Sequence, residues 1–288
     1  MAEQAGSRTI VVSGGTDGMG RAFALARADR GDRVLAVGSN PDKGAALVRD
    51  AAHAPGVVEF LRTDLTTVHD ADATVRAVLD RTERVDALAL FANRQAPRRV
   101  ETPEGLEATF ALYYLSRAVL GEGLLPALRR SPAPVVLNVA GVGITKGHIH
   151  WDDLQLVADY SMVAAQLQAA RADDLLGVHH AATHPDVPYV LYHPGFTRSG
   201  DLSVLPAVLR TAIRAAARAS ARPVAESIAP LLEYVDAPPT VPLTARDRDR
   251  TVPLTLATLD PGDARRLAEV TARILERLRT LARAPRES

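Results

Sequence analysis

Three glycines spaced Gly14-x-x-x-Gly18-x-Gly20 follow directly on the β-branched run Thr9-Ile10-Val11-Val12 and open the first helical stretch of the chain. Glycine permits a sharp turn, lets the backbone approach a diphosphate, and lets the next helix start close to the sheet. The helix N-terminus then presents unbonded N–H groups to the anion. With a strand before it and a helix after it, the segment reads as a strand–turn–helix unit that receives a dinucleotide. Its candidate contacts are Gly14, Thr16, Asp17, Gly18, Met19 and Gly20.

The remaining sequence repeats the alternation of strand and helix. Apolar runs at 33–38, 57–61, 86–92, 135–139 and 189–192 predict strands. Segments at 21–30, 42–52, 70–82, 104–130 and 161–182 carry helical periodicity, the fourth opening on Thr102-Pro103 as N-cap and first-turn proline. Strands that are apolar throughout and separated by 10- to 20-residue helices predict a doubly wound parallel α/β sheet, a Rossmann fold, covered on both faces. Beyond Gly195, Leu202, Leu205, Val208, Leu209 and Ile213 predict an amphipathic flap or a packed helix. Pro238-Pro239 breaks the chain, and Leu267, Val270, Ile274, Leu278 and Leu281 stripe a last helix from 261. The expected organisation is one domain over 1–288, with a cofactor-binding core at 8–200 and a flap with C-terminal helices at 201–288.

Composition narrows the function. Acidic and basic residues balance at 34 each, and no long block of like charge occurs, which disfavours nucleic acid and anionic lipid as partners. The absence of cysteine removes disulfides, thiolate catalysis and thiolate metal ligands. No apolar stretch is long enough for a membrane span, and Met1–Gly6 lacks a secretory pattern, so a cytoplasmic protein without a metal site is expected.

Over residues 8–200 the chain resembles the short-chain dehydrogenases/reductases. The resemblance rests on the glycine loop, Asp64-Leu65 after the third strand, and His193-Pro194-Gly195-Phe196-Thr197 after the sixth. Glu101-Thr102-Pro103-Glu104-Gly105-Leu106-Glu107 and Trp151-Asp152-Asp153-Leu154 point to the retinol-dehydrogenase-like branch. The resemblance implies a nicotinamide dinucleotide, with Asp64 and Leu65 at the adenine and Pro194, Gly195 and Thr197 by the nicotinamide. The usual Asn-Asn-Ala-Gly after the fourth strand reads Leu90-Phe91-Ala92-Asn93, so Ala92 and Asn93 become cofactor contacts. The second strand ends Val37-Gly38-Ser39-Asn40, without the carboxylate that NAD requires. Ser39, Asn40 and Lys43 can instead donate to a 2′-phosphate, which favours NADP(H) even though Asp17 adds a negative charge nearby. The resemblance also implies a homodimer through the two long helices, which an extended C-terminus can block.

The residues that would carry the chemistry depart from the family. There a Tyr transfers the proton, a Lys four residues later lowers its pKa, a Ser binds the carbonyl oxygen and an Asn holds a relay water. Two alignments are open. In one, Tyr160-Ser161-Met162-Val163-Ala164 keeps the Tyr and replaces the Lys. In the other, Gly141, Gln166 and Ala170 stand at the Ser, Tyr and Lys positions, and the 25-residue interval from Ala170 to Gly195 favours it. In both, Tyr113 stands for the Asn. Tyr160 and Tyr113 are therefore the first candidates for a displaced proton donor, followed by Tyr114, His148 and His150, while His179, His180 and His184 read as surface residues of their helix. The expected function is NADP(H)-dependent oxidoreduction of a small organic substrate. A non-redox step on a retained cofactor, and cofactor binding without catalysis, are the alternatives.

Overall fold

Thr9–Ser13 (β1), Arg33–Gly38 (β2), Val57–Arg62 (β3), Ala87–Leu90 (β4), Val135–Val139 (β5), Tyr189–His193 (β6), Leu243–Asp247 (β7) and Arg250–Thr251 (β8) form one sheet in the order β3-β2-β1-β4-β5-β6-β7-β8. The structure, a computed structural model, describes residues 7–195 and 222–283. Every neighbouring pair is parallel except the antiparallel β7–β8. Strands β1 and β4 are buried along their whole length, which explains their unbroken apolar runs. The doubly wound parallel sheet expected from the sequence is the observed fold.

Helices cover both faces. On one lie α1 (Gly18–Ala28), α2 (Pro41–Asp50) and α6 (Val224–Asp236), packed through Phe23, Leu47, Ile228 and Leu231. On the other lie α3 (Val68–Leu79), α4 (108–128), α5 (Met162–Thr183) and α7 (Pro261–Arg283). Helix α4 is interrupted by a π turn at Ala111–Leu115, which accommodates one more residue than a regular helix would.

Local chemistry sets the helix starts. Asn40 Oδ1 accepts from Lys43 N at 2.9 Å at the head of α2, and Ser161 Oγ accepts from Ala164 N at 3.0 Å at the head of α5. The predicted start of α4 is corrected. Thr102 closes a turn with Leu106, Glu101 bridges Glu107, and the Glu107 carboxylate caps the helix by accepting from Thr109 N and Phe110 N at 2.8 and 2.7 Å. Glu104 is drawn away to the head of α3, where it accepts from Val68 N and His69 N.

The C-terminal third also differs from expectation. It adds β7 and β8 to the sheet and α6 beneath it, where the sequence predicted a flap and helices. The flap segment 202–213 and the tail after Ala284 lie outside the described residues. Helix α7 lies against α3 and α5 with Ala264, Leu267 and Thr271 buried. Leu281, placed in its buried stripe, is 61% exposed because the contact surface ends with Leu278. Tyr114 and Thr271 share a buried hydroxyl–hydroxyl bond of 2.7 Å, and Arg279 grips Asp72 at 2.7 and 2.9 Å. No described helix is long and apolar enough to cross a membrane.

Candidate active site

The glycine turn sits at the carboxyl end of β1, against the segment that follows β4. Gly14 has φ +69°, and a Cβ on it would lie 2.7 Å from Ala92 N. A Cβ on Gly20 would lie 2.3 Å from Gly14 O, so the helix can begin this close to the turn only with glycine. Asp17 Oδ1 accepts from Gly18 N at 2.8 Å. The amides of Met19 and Gly20 donate to no acceptor among the described residues, which leaves them directed outward from the first turn. A diphosphate fits that cradle.

A second hollow lies at the carboxyl ends of β2 and β3. A cavity of about 480 Å³ is lined by Ser39, Arg62, Thr63, Asp64, Asp70 and Ala73. Asp64 is exposed at its mouth and Leu65 is buried behind it. Asn40 spends its side-chain oxygen on the α2 cap, and Lys43 pairs with Asp17, so that lysine's charge is already matched. Two residues the sequence reading passed over complete this end. Arg62 ends β3 at the cavity wall, and Arg94 reaches over from the segment after β4 to donate to Ser39 Oγ at 3.3 Å.

The wall between β5, α4 and α5 is small and apolar. Ala140, Ala169 and Ala170 pack around Tyr113, and a Cβ built on Gly141 would meet Ala170 Cβ at 3.1 Å. Gln166 forms a two-way amide pair with Asn93 and also donates to Arg94 O. Tyr160 lies just before α5, outside this wall, and its hydroxyl donates to Ala96 O at 2.6 Å. Burial raises the Tyr160 phenol, with the charge of Glu107 adding to the rise. Burial raises Tyr113 much further, although the Arg117 guanidinium, 4.5 Å from its ring centre, pulls the other way. Tyr114 is fully buried on its bond to Thr271, and His148 and His150 stack at 4.3 Å on the connection before α5.

A buried polar network stands behind this wall. Arg117 bonds Asn138, Val139 O and Ala92 O and pairs with Asp173 at 3.4 Å, all inside the core. Asn138 in turn donates to Asp173 and to Tyr189. The network therefore holds β5, α4, α5 and the Ala92 carbonyl in fixed relation. Of the residues expected near the nicotinamide, Pro194 and Gly195 follow β6, with Gly195 at φ +77°, and Thr197 lies outside the described residues. His180, expected at the surface, is buried instead, its Nε2 within 3.0 Å of Val187 O. Among the described residues no group of three or more acidic or imidazole side chains is placed to hold a metal.

Residues 8–152 match the short chain dehydrogenase family. The chain belongs to that family. This short chain dehydrogenase is 30% identical over 194 residues to a Streptomyces sp. (strain C5) protein named for daunorubicin C-13 ketoreduction, covering 67% of each chain. It is 28% identical over 198 residues to retinol dehydrogenase 13 of Mus musculus, covering 67% of this chain and 59% of that one. The chain thus spans less than two thirds of several of its curated relatives. Among solved structures, a protein from Mycobacterium paratuberculosis superposes with a TM-score of 0.67 at 21% identity, over 93% of both chains. A metagenomic short-chain oxidoreductase in complex with NADP gives 0.54 at 21% identity, over 67% of this chain and 84% of that one. At these identities the two structures speak to the fold.

Proposed function

We propose that this chain is an NADP(H)-dependent reductase of a small organic carbonyl compound, with a proton donor other than the family's tyrosine–lysine pair. The observation that carries the reading is the glycine cradle. Only residues without Cβ allow Gly14 to meet Ala92 and Gly20 to meet Gly14, and the Met19 and Gly20 amides are left without an acceptor among the described residues.

Met19 and Gly20 would hold the diphosphate, and Thr16 and Gly18 would shape the turn beneath it. Asp64 and Leu65 would flank the adenine, while Ser39 and Arg62, in the cavity lining, together with Asn40 would receive a 2′-phosphate. Ala92, Asn93, Pro194, Gly195 and Thr197 would border the nicotinamide. When bound, the reduced dinucleotide supplies a hydride to an electrophilic carbon. An apolar cluster of Ala140, Ala169 and Ala170 beside the nicotinamide would favour a substrate of low polarity. The relative named for daunorubicin ketoreduction supports a natural-product ketone as the substrate class.

A second reading, a non-redox step on a retained cofactor, draws on the Gln166–Asn93 pair, since neither amide serves as a general acid or base near neutrality. One experiment separates the two. Purified protein is incubated with NADPH and a panel of aryl ketones, enones and imines, and cofactor oxidation and product are measured together. Matched stoichiometry supports reduction. Product without cofactor oxidation supports the second reading and overturns the first.

A further inference from the structure

The apolar wall leaves a chemical gap: an alkoxide formed beside it needs a proton, and Gly141, Ala169 and Ala170 have none to give. We propose that His193 is the catalytic residue that protonates the substrate oxygen, and that Asp247 positions it. The proposal rests on the carbonyl-reductase reading above.

The pairing of β5 with β6 places the imidazole. Val139 is in register with Tyr192, and Ala140 N donates to Tyr192 O at 2.9 Å, which carries the pairing one residue further, to Ala140 and His193. Residues in register on neighbouring strands lie about 5 Å apart and point to the same face. Asn138 and Leu191, two residues earlier, point toward α4 and α5, so Ala140 and His193 do as well. Ala140 touches the Tyr113–Ala169–Ala170 cluster. His193 therefore stands at the carboxyl edge of the sheet, one strand from the wall that has no proton donor, and Pro194 and Gly195 follow it at the expected nicotinamide position.

Its orientation is fixed from behind. His193 Nδ1 lies 2.9 Å from Asp247 Oδ1 at the end of β7, and Arg248 N donates to His193 O at 2.7 Å. Arg248, in the left-handed region at φ +54°, wraps back so that Nε and Nη2 each donate to Asp247 at 3.2 Å. Burial raises the Asp247 carboxyl, but the bonds from Arg248 and the charge of His193 outweigh it and leave the group below its ordinary range. An ionised carboxylate on Nδ1 keeps the proton there in the neutral ring and directs Nε2 away from β7. His193 Nε2 has no hydrogen-bond partner among the described residues, and the ring is about one-quarter exposed.

The other candidates lack these properties. Tyr160 already donates to a backbone carbonyl, and Tyr113 would have to bury a phenolate. His148 and His150 have each other's rings as neighbours, with no carboxylate hydrogen-bonded to either. In the proposed step hydride adds to the carbonyl carbon, the C=O π pair moves onto oxygen, and that oxygen takes the Nε2 proton of doubly protonated His193. Neutral His193 keeps its Nδ1 proton on Asp247, and a solvent proton restores Nε2. The sum is ketone, reduced nicotinamide dinucleotide and one proton giving alcohol and oxidised dinucleotide.

The test uses the full chain, NADPH and acetophenone with its ring-substituted relatives. His193→Ala is expected to lower kcat by about 100-fold, the usual scale for losing a general acid, with NADPH affinity held within about twofold. Added imidazole is expected to restore at least about tenfold of the loss. Nitrogen-15 NMR of the neutral ring is expected to show Nδ1–H in the wild type and a mixture of tautomers in Asp247→Asn. That variant, which serves also if His193→Ala does not fold, is expected to lose kcat at unchanged KM. Wild-type turnover with His193→Ala within threefold of it overturns the proposal, as does an Nε2–H tautomer in the wild type. Wild-type protein that binds NADPH and reduces no ketone of the panel overturns the reductase reading, and this inference with it.

Discussion

Asn93 and Gln166 hold each other by both ends of their amides, Asn93 Nδ2 donating to Gln166 Oε1 at 3.0 Å and Gln166 Nε2 to Asn93 Oδ1 at 3.2 Å. The pair pins the first turn of α5 to the segment after β4, which also forms the floor under Gly14. Because both side chains are accessible to water, the bonds exchange for water at small cost. Gln166→Ala is expected to lower stability by less than about 1 kcal/mol and to weaken NADPH binding a few-fold. Thermal denaturation and fluorescence titration check the two effects.

Gly14→Ala tests the cradle. A Cβ there is forced to within 2.7 Å of Ala92 N, at a backbone angle that L side chains avoid. We expect about 1–3 kcal/mol of lost stability and a loss of NADPH affinity of at least about 100-fold. Retained affinity in calorimetry would show that the dinucleotide lies elsewhere.

Arg62→Ala tests the proposed 2′-phosphate site. Lys43 is matched by Asp17, whereas Arg62 lines the cavity without a carboxylate partner among the described residues. Adenosine 2′,5′-bisphosphate is expected to bind about tenfold more weakly to the variant, the scale of one charge-assisted hydrogen bond. Binding of AMP should be unchanged, and calorimetry at fixed salt measures both.

Asp174→Asn tests the buried acid pair in α5. Burial pushes the Asp174 carboxyl up to about 8, Arg171 draws it down, and Asp173 pushes it up again. The folded state therefore binds this proton more tightly than the unfolded chain, so the stability it contributes is present at low pH and fades as pH rises from about 4 through about 8. Removing the titrating group is expected to flatten that decline, so that the stability difference between variant and wild type moves in the variant's favour as pH rises from 5 to 9. Urea midpoints at pH 5, 7 and 9 give the answer. Asp173, pushed up to about 7 by burial against the pull of Arg117 and Asn138, keeps part of the slope in the variant.

Helix α7 covers the faces of α3 and α5, and its Arg266 guanidinium stacks 4.0 Å above the Trp151 ring. A second copy of the chain cannot use the surface that α7 occupies. Full-length protein is expected to behave as a monomer by light scattering. A chain ending at Asp260 would expose the apolar contacts of Leu267 and is expected to self-associate.

The parallel core was legible because each of its central strands is buried on both faces and so reads as an unbroken apolar run. Strand β7 was not, since Leu243-Thr244-Ala245-Arg246-Asp247 lies near the sheet margin, where only Ala245 is buried. Helix α6 carries Pro230 inside it, which hides its periodicity. The glycine turn announced itself through spacing that backbone geometry demands. Arg62 and Arg94 gave no such signal, because one arginine among many carries no pattern until the fold brings it to Ser39. His193 and Asp247 are 54 residues apart, and Asp247 ends a strand whose polarity concealed it.

The π turn at Ala111–Leu115 has a consequence for how this chain can vary in length. The turn takes up one residue more than a regular helix would, so removing one residue within it would let α4 relax to regular geometry with the turns on either side kept on their present faces. Arg117, beyond the turn, would keep its bonds to Asn138 and the Ala92 carbonyl, and Tyr113, inside it, would be the group to shift against Ala140 and Ala169. A single codon lost there would reshape the packing around Tyr113 while the rest of α4 stays in register.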